Sequence, residues 1–552
     1  MARKKQNEKS IIESTLFMYA AMVLTRVLGL VFNIPFYALL GDNAYYIYSS
    51  AYAIYNLFLD ISTLGIPVAM SIIISEYNSL KKYKSKQKAY SIGLKSTTVL
   101  ALGSFLFLEL FARPIARIYY VESAVVPLDD IVLAIRIVGM CLLVVPFLGI
   151  KRGYLQGHRL FDSSSLSQLL EQIVRVVFVL TSAYLIIDVL KKGTTLGVFV
   201  SLVGTCIAGL AALVFINWQI RKNRDILTDE QDDDEVVEST RKMLRKVWIY
   251  CFTISSVNVF QSVHNVIRVN LLNSSLTNLG FAGPEVLNIT NNMSQLAPKT
   301  CLIISSLSMA LTTSITPHVA GSFAQNDYVG VRSKLRQSIG IVLAISTPLS
   351  IGMILLAKPV HALLYDYDSF GFGALILQFD IILNSINNLT MVFTSALQGM
   401  NRKKFVCVST IICYAVSLIL EVPFIYLFNF IGIKPYLGPM VSCIIGHVVL
   451  LVLQARVLKE TVNYDLKTIL PSIRDLILPL GLMSVAVVIM EYILPIPAGA
   501  RRMKLLVYCF VYAIGGGIVY GLTGLKTGAL NDLMESDRIK GIIDRINAII
   551  KK

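Results

Sequence analysis

Six cations and six carboxylates fall inside stretches of this sequence that are otherwise apolar enough to cross a lipid bilayer. The cations are Arg26, Lys95, Arg136, Arg175, Arg268 and Lys299; the acids are Asp60, Glu109, Glu171, Asp380, Glu421 and Glu491. A charge at the bilayer centre costs roughly 2.5–3.5 kcal/mol on insertion scales, so each needs a partner, a wet cavity or a nearby interface. Lys95, Arg136 and Glu491 stand near span ends, where long side chains reach the interface. Arg26 is mid-span, and Met22, Val23, Gly29 and Leu30 occupy the helix-neighbour positions, so no acid on its own helix can pair with it. It must face a partner on another helix or a wet, anionic cavity, and a guanidinium there is suited to gripping phosphate through two parallel hydrogen bonds. Glu171 and Arg175 form an i, i+4 pair. With Ser167, Gln168 and Gln172 they make a polar stripe, SQLLEQIVR, that a lipid-facing helix would not carry; it either lines a cavity or packs lobes together.

Other chemistry is poorly represented. HExxH and phosphate-loop patterns are missing, and His158, His264, His318, His361 and His447 are isolated. Asp129-Asp130 reads as a solvated helix start rather than the acidic pair of a membrane glycosyltransferase. The eight cysteines lie scattered through apolar runs without a CxxC, which marks them as small apolar fillers. No metal site and no cofactor is expected, and the chain is not expected to be an enzyme.

The elements that must position these residues are membrane helices. Hydrophobic residues make up 55% of the 552 positions and charged residues 15%, with a mean hydropathy of +0.67, outside the soluble globular range. About fourteen apolar runs of spanning length recur. The net charge of +16 would suit nucleic acid, but about 35 of the Lys and Arg fall in segments that are cytoplasmic if the N-terminus is, a positive-inside bias that accounts for them. Nucleic acid is therefore not an expected partner, and both termini are expected in the cytoplasm. MARKKQNEKS leads into a run too long for a cleavable signal.

The sequence also repeats. LQG at 155–157 returns at 397–399, ARPIARIYY (112–120) as AKPVHALLY (357–365), and LGVFVS (196–201) as LGPMVS (437–442). Offsets this uniform indicate two related halves, and six helices in each make the copies parallel, related by an axis along the membrane normal. The expected organisation is an N-lobe over 1–220, a cytoplasmic linker over 221–246 with a solvated DDDE run, a C-lobe over 247–457, and two further spans with an amphipathic basic tail over 458–552. The fold class is all-α and polytopic. Pro35, Pro67, Pro146, Pro298, Pro317, Pro348 and Pro423 sit in or beside spans, as bends near a cavity or as ordinary kinks.

TRVLGLVFNIPFYALLG (25–41), GIPVAMSIIISEY (65–77), RGYLQG, SQLLEQIVRV and LQGMNR resemble the MurJ/SpoVB branch, YtgP type, of the multidrug/oligosaccharidyl-lipid/polysaccharide exporter superfamily. The resemblance runs over nearly the whole chain. It implies a lipid II flippase of the bacterial cell membrane: two six-helix lobes around a cationic central cavity, the last two helices making a groove for the lipid tail, and alternating access moving an undecaprenyl-pyrophosphate-linked peptidoglycan precursor from inner to outer leaflet. Its implied partners are that lipid-linked substrate and membrane lipids, and a monomer is expected. Arg26 matches the family's cavity-facing arginine in the first span. The second arginine that many relatives carry six residues later is replaced here by Phe32-Asn33, so Arg268 and Lys299 are expected to supply the missing charge. Some relatives share a sodium site between the seventh and eleventh spans; Arg268 either replaces that cation and pairs with Glu421 or reaches to the outer interface. The rival readings are a flippase for another lipid-linked glycan and a drug or cation antiporter of the same superfamily.

Overall fold

The structure, a computed structural model, describes residues 24–530 apart from 26–27, 30, 64, 122–125, 159, 228–236, 366–370, 498–499 and 501. Arg26, the DDDE run and the C-terminal tail lie outside the described residues. The fold is all-α, and among the described residues no strand occurs. Ten helical stretches there are long and apolar enough to cross a membrane. The chain forms two compact units, Met1–Asn291 and Asn292–Lys552.

The first unit contains α1 (Asn33–Thr63), α2 (Ile66–Ser79), α3 (Tyr83–Ala116), α4 (Leu128–Gly139), α5 (Val145–Gly157), α6 (Phe161–Tyr184), α7 (Thr194–Lys222), the short α8 (Arg224–Leu227), α9 (Thr240–Asn278) and α10 (Gly283–Asn291). α1 breaks at Gly41, whose φ of 70° is open to glycine at little cost. Pro67 and Pro146 fall in the first turns of α2 and α5, where a missing N–H deprives no intrahelical acceptor. The RGYLQG motif owes part of its pattern to packing. A Cβ at Gly153 would lie 2.2 Å from the Pro67 carbonyl oxygen, and one at Gly157 2.6 Å from Ile74 Cβ. These two glycines let α5 lie directly against α2, the small-residue contact by which membrane helices gain dispersion energy without a hydrophobic drive between them. Beside that contact, Met70, Ile73, Leu148 and Leu155 form a buried core that also takes in Leu227, Met243 and Val247 from the linker region. The linker is fixed further by Lys246 on Glu76 at 2.8 Å and by Lys88 Nζ donating to the Glu238 carbonyl at 2.9 Å.

The second unit contains α11 (Ala297–Ala324), α12 (Tyr328–Leu355), α13 (Ala357–Tyr365), α14 (Gly373–Gly399), α15 (Lys403–Phe430), α16 (Gly438–Val462), α17 (Leu470–Ile493) and α18 (Arg502–Lys526). A π-helical turn, Asn292–Leu296, leads into α11 with Pro298 in its first turn. Pro348 lies inside α12 and cannot donate to the Ala344 carbonyl one turn back. The Tyr520 hydroxyl of α18 donates to that oxygen instead, at 2.7 Å, so the carbonyl that Pro348 leaves open also seats α18. Close backbone approach recurs between α15 and α16, where a Cβ at Gly446 would lie 2.6 Å from the Cys413 carbonyl oxygen.

Gly153→Ala should therefore push α5 off α2 and lower stability by about 1–3 kcal/mol through overpacking. Gly103→Ala, in the interior of α3 with no atom within 4 Å of the new methyl, should be neutral or stabilising by about 0.5–1 kcal/mol. Thermal unfolding of the two variants in the same detergent checks the contrast.

Candidate functional site

The stripe on α6 is the best-developed polar feature of the first unit. Glu171 binds Arg175 through Oε1, as their spacing predicts, and Oε2 accepts from Arg152 Nη2 of α5 at 2.9 Å. Arg152 also donates to Ser167 Oγ at 3.0 Å, and Arg175 Nη1 to the Tyr52 oxygen of α1 at 3.2 Å. The three charged side chains are only 11–17% exposed. Two guanidinium groups thus share one carboxylate, which leaves one positive charge in excess, and Arg175 Nε has no partner among the described residues. Buried cations in excess are costly unless an anion completes them. Gln172 packs beside Gly29, where a Cβ would lie 3.4 Å from its Nε2. Gln168 is half-buried on the same helix.

Tyr52 belongs to an aromatic ladder on α1. Tyr45, Tyr48, Tyr52 and Tyr55 follow one helix face with ring centroids 5.4–5.9 Å apart. The ladder runs from the bend at Gly41 to the arginine cluster and gives the guanidinium of Arg175 a rigid wall. Sequence reading passed over it because tyrosines in a span look like ordinary apolar filling. The charge it serves has no equivalent in the second half. At the repeat offset of about 242, Arg152, Glu171 and Arg175 become Thr394, Cys413 and Ser417. Thr394 accepts from Gln454 Nε2 at 2.8 Å, a neutral contact where the first half has an ionic one.

A second network lies at the end of the first unit remote from the linker. Asp42, just after the bend of α1, accepts from Tyr37 and, at 3.3 Å, from Asn288 Nδ2. Asn291 donates to the Asp42 carbonyl at 3.1 Å and accepts from Ser49 at 3.0 Å. Asn273 donates to the Tyr46 oxygen at 2.8 Å, and Thr290 to Asn273 Oδ1 at 2.6 Å. Helix α1 is thereby clasped to α9 and α10 by neutral hydrogen bonds around one carboxylate. Asp42 escaped the sequence reading because it follows a glycine at a span end, where a solvated carboxylate is the ordinary reading.

The remaining intramembrane charges separate by surroundings. Asp60 accepts from Ser262 at 2.6 Å, and Glu109 pairs with Arg136 at 3.7 Å. Lys95 and Glu491 are exposed, as expected of flanking charges. Arg268 is half-buried on α9 in the first unit, whereas Lys299 is half-buried at the start of α11 and Glu421 fully buried on α15, both in the second. Asp380 on α14 is buried.

The second unit also holds an apolar groove of about 670 Å³ between α12, α13, α17 and α18. Ile345, Pro348, Leu349, Val487, Phe510 and Gly517 are among its lining. The two tyrosines beside it turn their hydroxyls onto backbone carbonyls, Tyr520 onto Ala344 and Tyr512 onto Leu494. Their rings therefore face the groove as hydrocarbon, which makes it fit a chain of alkyl or isoprenoid character.

Comparison with known proteins places this architecture. A family profile described as "Polysaccharide biosynthesis protein" matches residues 11–322, and one described as MatE matches residues 294–426. The chain is 28% identical to lipid II flippase MurJ of Bacillus subtilis (strain 168) over 95% of its own length and 96% of that protein's. It is 27% identical to stage V sporulation protein B of the same organism over 31% of this chain and 32% of that one. Its fold matches a solved lipid II flippase MurJ in an inward closed conformation, with a TM-score of 0.64 and 14% identity over 93% of this chain and 99% of that one. It also matches an inward-facing multidrug resistance MATE family transporter of the MOP superfamily, with a TM-score of 0.64 and 14% identity over 79% of this chain and 94% of that one.

The ionic cluster predicts an asymmetry. Glu171→Ala leaves Arg152 and Arg175 facing one another without a counter-charge and should cost about 3–5 kcal/mol. Arg152→Ala leaves the Glu171–Arg175 pair intact and should cost less. Replacing Glu171 and both arginines together by methionine should recover most of the loss. Unfolding midpoints in detergent measure all three, and equal losses for the two single variants would contradict the shared-carboxylate geometry.

Proposed function

Because this chain belongs to the polysaccharide biosynthesis protein family, a family of multi-pass membrane transporters within the MOP superfamily, we propose that it is a flippase that carries lipid II from the inner to the outer leaflet of a bacterial cell membrane. The observation that carries this reading is the buried excess of guanidinium over carboxylate around Glu171. A pyrophosphate is doubly suited to it, by charge and by the planar pairs of oxygens that a guanidinium grips. Arg26 works with this cluster on the head group, and Arg268 and Lys299 supply further positive charge. The polyprenyl tail stays in hydrocarbon along the groove lined by α12, α13, α17 and α18. No bond of the substrate is broken; the protein acts by exposing the head group to one side and then the other.

Both termini and the linker are cytoplasmic in this reading, and the Asp42 clasp joins α1 to α9 and α10 at the outer side. Its hydrogen bonds are mostly between neutral groups, each a small net contribution of about 0.5–1.5 kcal/mol, so the clasp can open and re-form during transport. Arg268 stands in for the cation that some relatives bind, and transport is then independent of sodium. A second reading, a flippase for another lipid-linked glycan, is favoured by the family description and by the similarity to a sporulation protein.

Native mass spectrometry of the purified protein with lipid II, against an undecaprenyl-phosphate-linked teichoic or capsular precursor, separates these readings. Selective lipid II binding that falls by about tenfold or more in Arg26→Ala, a loss expected for removing one charge-assisted contact, is the expected result. Equal binding of every lipid, unchanged by the substitution, would refute the lipid II assignment. Transport in proteoliposomes should continue when potassium replaces sodium; a strict sodium requirement would remove the role given to Arg268.

A further inference from the structure

Helix α14 carries a file of buried and half-buried polar side chains that the flippase reading does not use. Asp380, Asn384 and Asn388 recur every four residues and so share one face. At the first level the Cys301 thiol of α11 lies beside the Asp380 carboxylate. At the second, Ser305 Oγ of α11 donates to Asn384 Oδ1 at 2.6 Å, and Ser385 Oγ donates to Ser350 Oγ of α12 at 2.9 Å. With Gln378 Nε2 of α14 donating to the Ile354 carbonyl of α12 at 3.0 Å, these pairings show α11 running parallel to α14 and α12 antiparallel to it. One turn further along, the same register brings Ser308 of α11 and Ser346 of α12 to the level of Asn388.

At that third level hydrogen bonding fails. Among the described residues, Ser308 Oγ, Ser346 Oγ and both amide atoms of Asn388 have no partner, although the three residues are only 0–3% exposed. A turn and a half beyond, Gln454 of α16 reaches Thr394 through Nε2, and its Oε1 is again without a partner. Buried polar atoms are almost always satisfied, so a group of this size on three packed helices marks a place for something small and polar. The donor set decides what. A bare metal cation would take the oxygens but leave the Asn388 N–H groups unmet and repelled. Water donates and accepts, and it satisfies every orphaned atom.

We propose that the second unit contains an internal water file along α14, passing Asn388 towards Gln454, through which Asp380 exchanges a proton with bulk solvent. From Asp380 to Thr394 the file is about 21 Å long at the helical rise, most of a hydrocarbon core. Asp380 is the carboxylate at its head. Proton uptake forms an O–H bond on Asp380 as one breaks in the adjoining hydronium, and release reverses this with water as acceptor; no other bond changes. The ionisable groups on the packed elements are Lys299, Cys301 and His318 on α11, Lys358, His361 and Tyr365 on α13, Cys443, His447, Arg456, Lys459 and Glu460 on α16, and Lys403, Lys404, Cys407, Cys413, Tyr414, Glu421 and Tyr426 on α15, while Gly340–Leu355 of α12 carries none. His361 Nε2 is held by Asn292 Oδ1 at 2.7 Å, Tyr365 donates to the Leu296 carbonyl, and His447 is turned onto the Cys443 carbonyl. A protonatable carboxylate reached in this way gives the unit a charge that can follow the membrane potential.

Time-resolved infrared difference spectroscopy after a pH jump tests this on the purified full-length protein without any lipid substrate, so its result is independent of the lipid II assignment. The band lost in Asp380→Asn identifies the carboxyl group. Its appearance should be slowed about tenfold or more in Asn388→Leu, which fills the water position with hydrocarbon, and should stay near the wild-type rate in Asn388→Ser, which leaves room for water. If Asn388→Leu does not fold, Ser346→Val closes the same level from α12 and should slow the band likewise. No band attributable to Asp380, or a rate unchanged when the Asn388 level is closed, overturns the proposal.

Discussion

One carboxylate shared by two arginines organises the first unit. Glu171 cannot neutralise both Arg152 and Arg175, and neither arginine can leave, since all three are buried between α1, α5 and α6. In hydrocarbon such an arrangement is tolerated only where each charge is hydrogen-bonded and the surplus has something to attract. Ser167 and Tyr52 supply the hydrogen bonds. The rest of the unit holds these pieces still. Gly153 and Gly157 lock α5 onto α2 and so fix where Arg152 emerges, and the tyrosine ladder stiffens α1 behind Arg175.

The second unit shows the same backbone logic applied to different chemistry. Where the repeat would place the ionic cluster it has Thr394, Cys413 and Ser417, so an anion finds no cation there. What it offers instead is the apolar groove, whose floor is α12 at Pro348 and whose wall is α18, tied to the Ala344 carbonyl by Tyr520. On the proposed function, the two related halves divide the recognition of an amphiphile. The first carries the charge that suits a head group, and the second, with α17 and α18 added, the surface that suits a tail.

Much of this was legible in the sequence where a local rule applied. The Glu171–Arg175 pair follows from spacing alone and the all-α class from hydropathy, whereas Pro67, Pro146 and Pro298, read from sequence as bends or kinks, open helices instead. Arg152 was legible only as an interface charge. Its contact with Glu171 spans 19 residues and two helices, and only the turn between α5 and α6 brings it round. Arg136, which sequence position suggested would simply reach the interface, also meets Glu109. Neutral polar residues were the least legible. Asn288, Asn291 and Asn388 raise no alarm in a hydropathy plot, because an amide becomes informative only when its partners, or their absence, can be seen. Arg26, the strongest single residue in the sequence reading, lies outside the described residues.

The central claim is that the surplus charge beside Glu171 binds the phosphate of the substrate rather than holding helices together. Arg175→Gln tests it most directly, because it removes the surplus and keeps the neutral Arg152–Glu171 pair. Affinity for the pyrophosphate lipid, measured alongside the unfolding midpoint of the same preparation, separates the two roles. The account predicts a loss of affinity of about tenfold or more, the scale of one charge-assisted contact, with stability unchanged or raised, since a costly buried charge has gone. Affinity that survives, or that falls only as the protein itself becomes unstable, would contradict it.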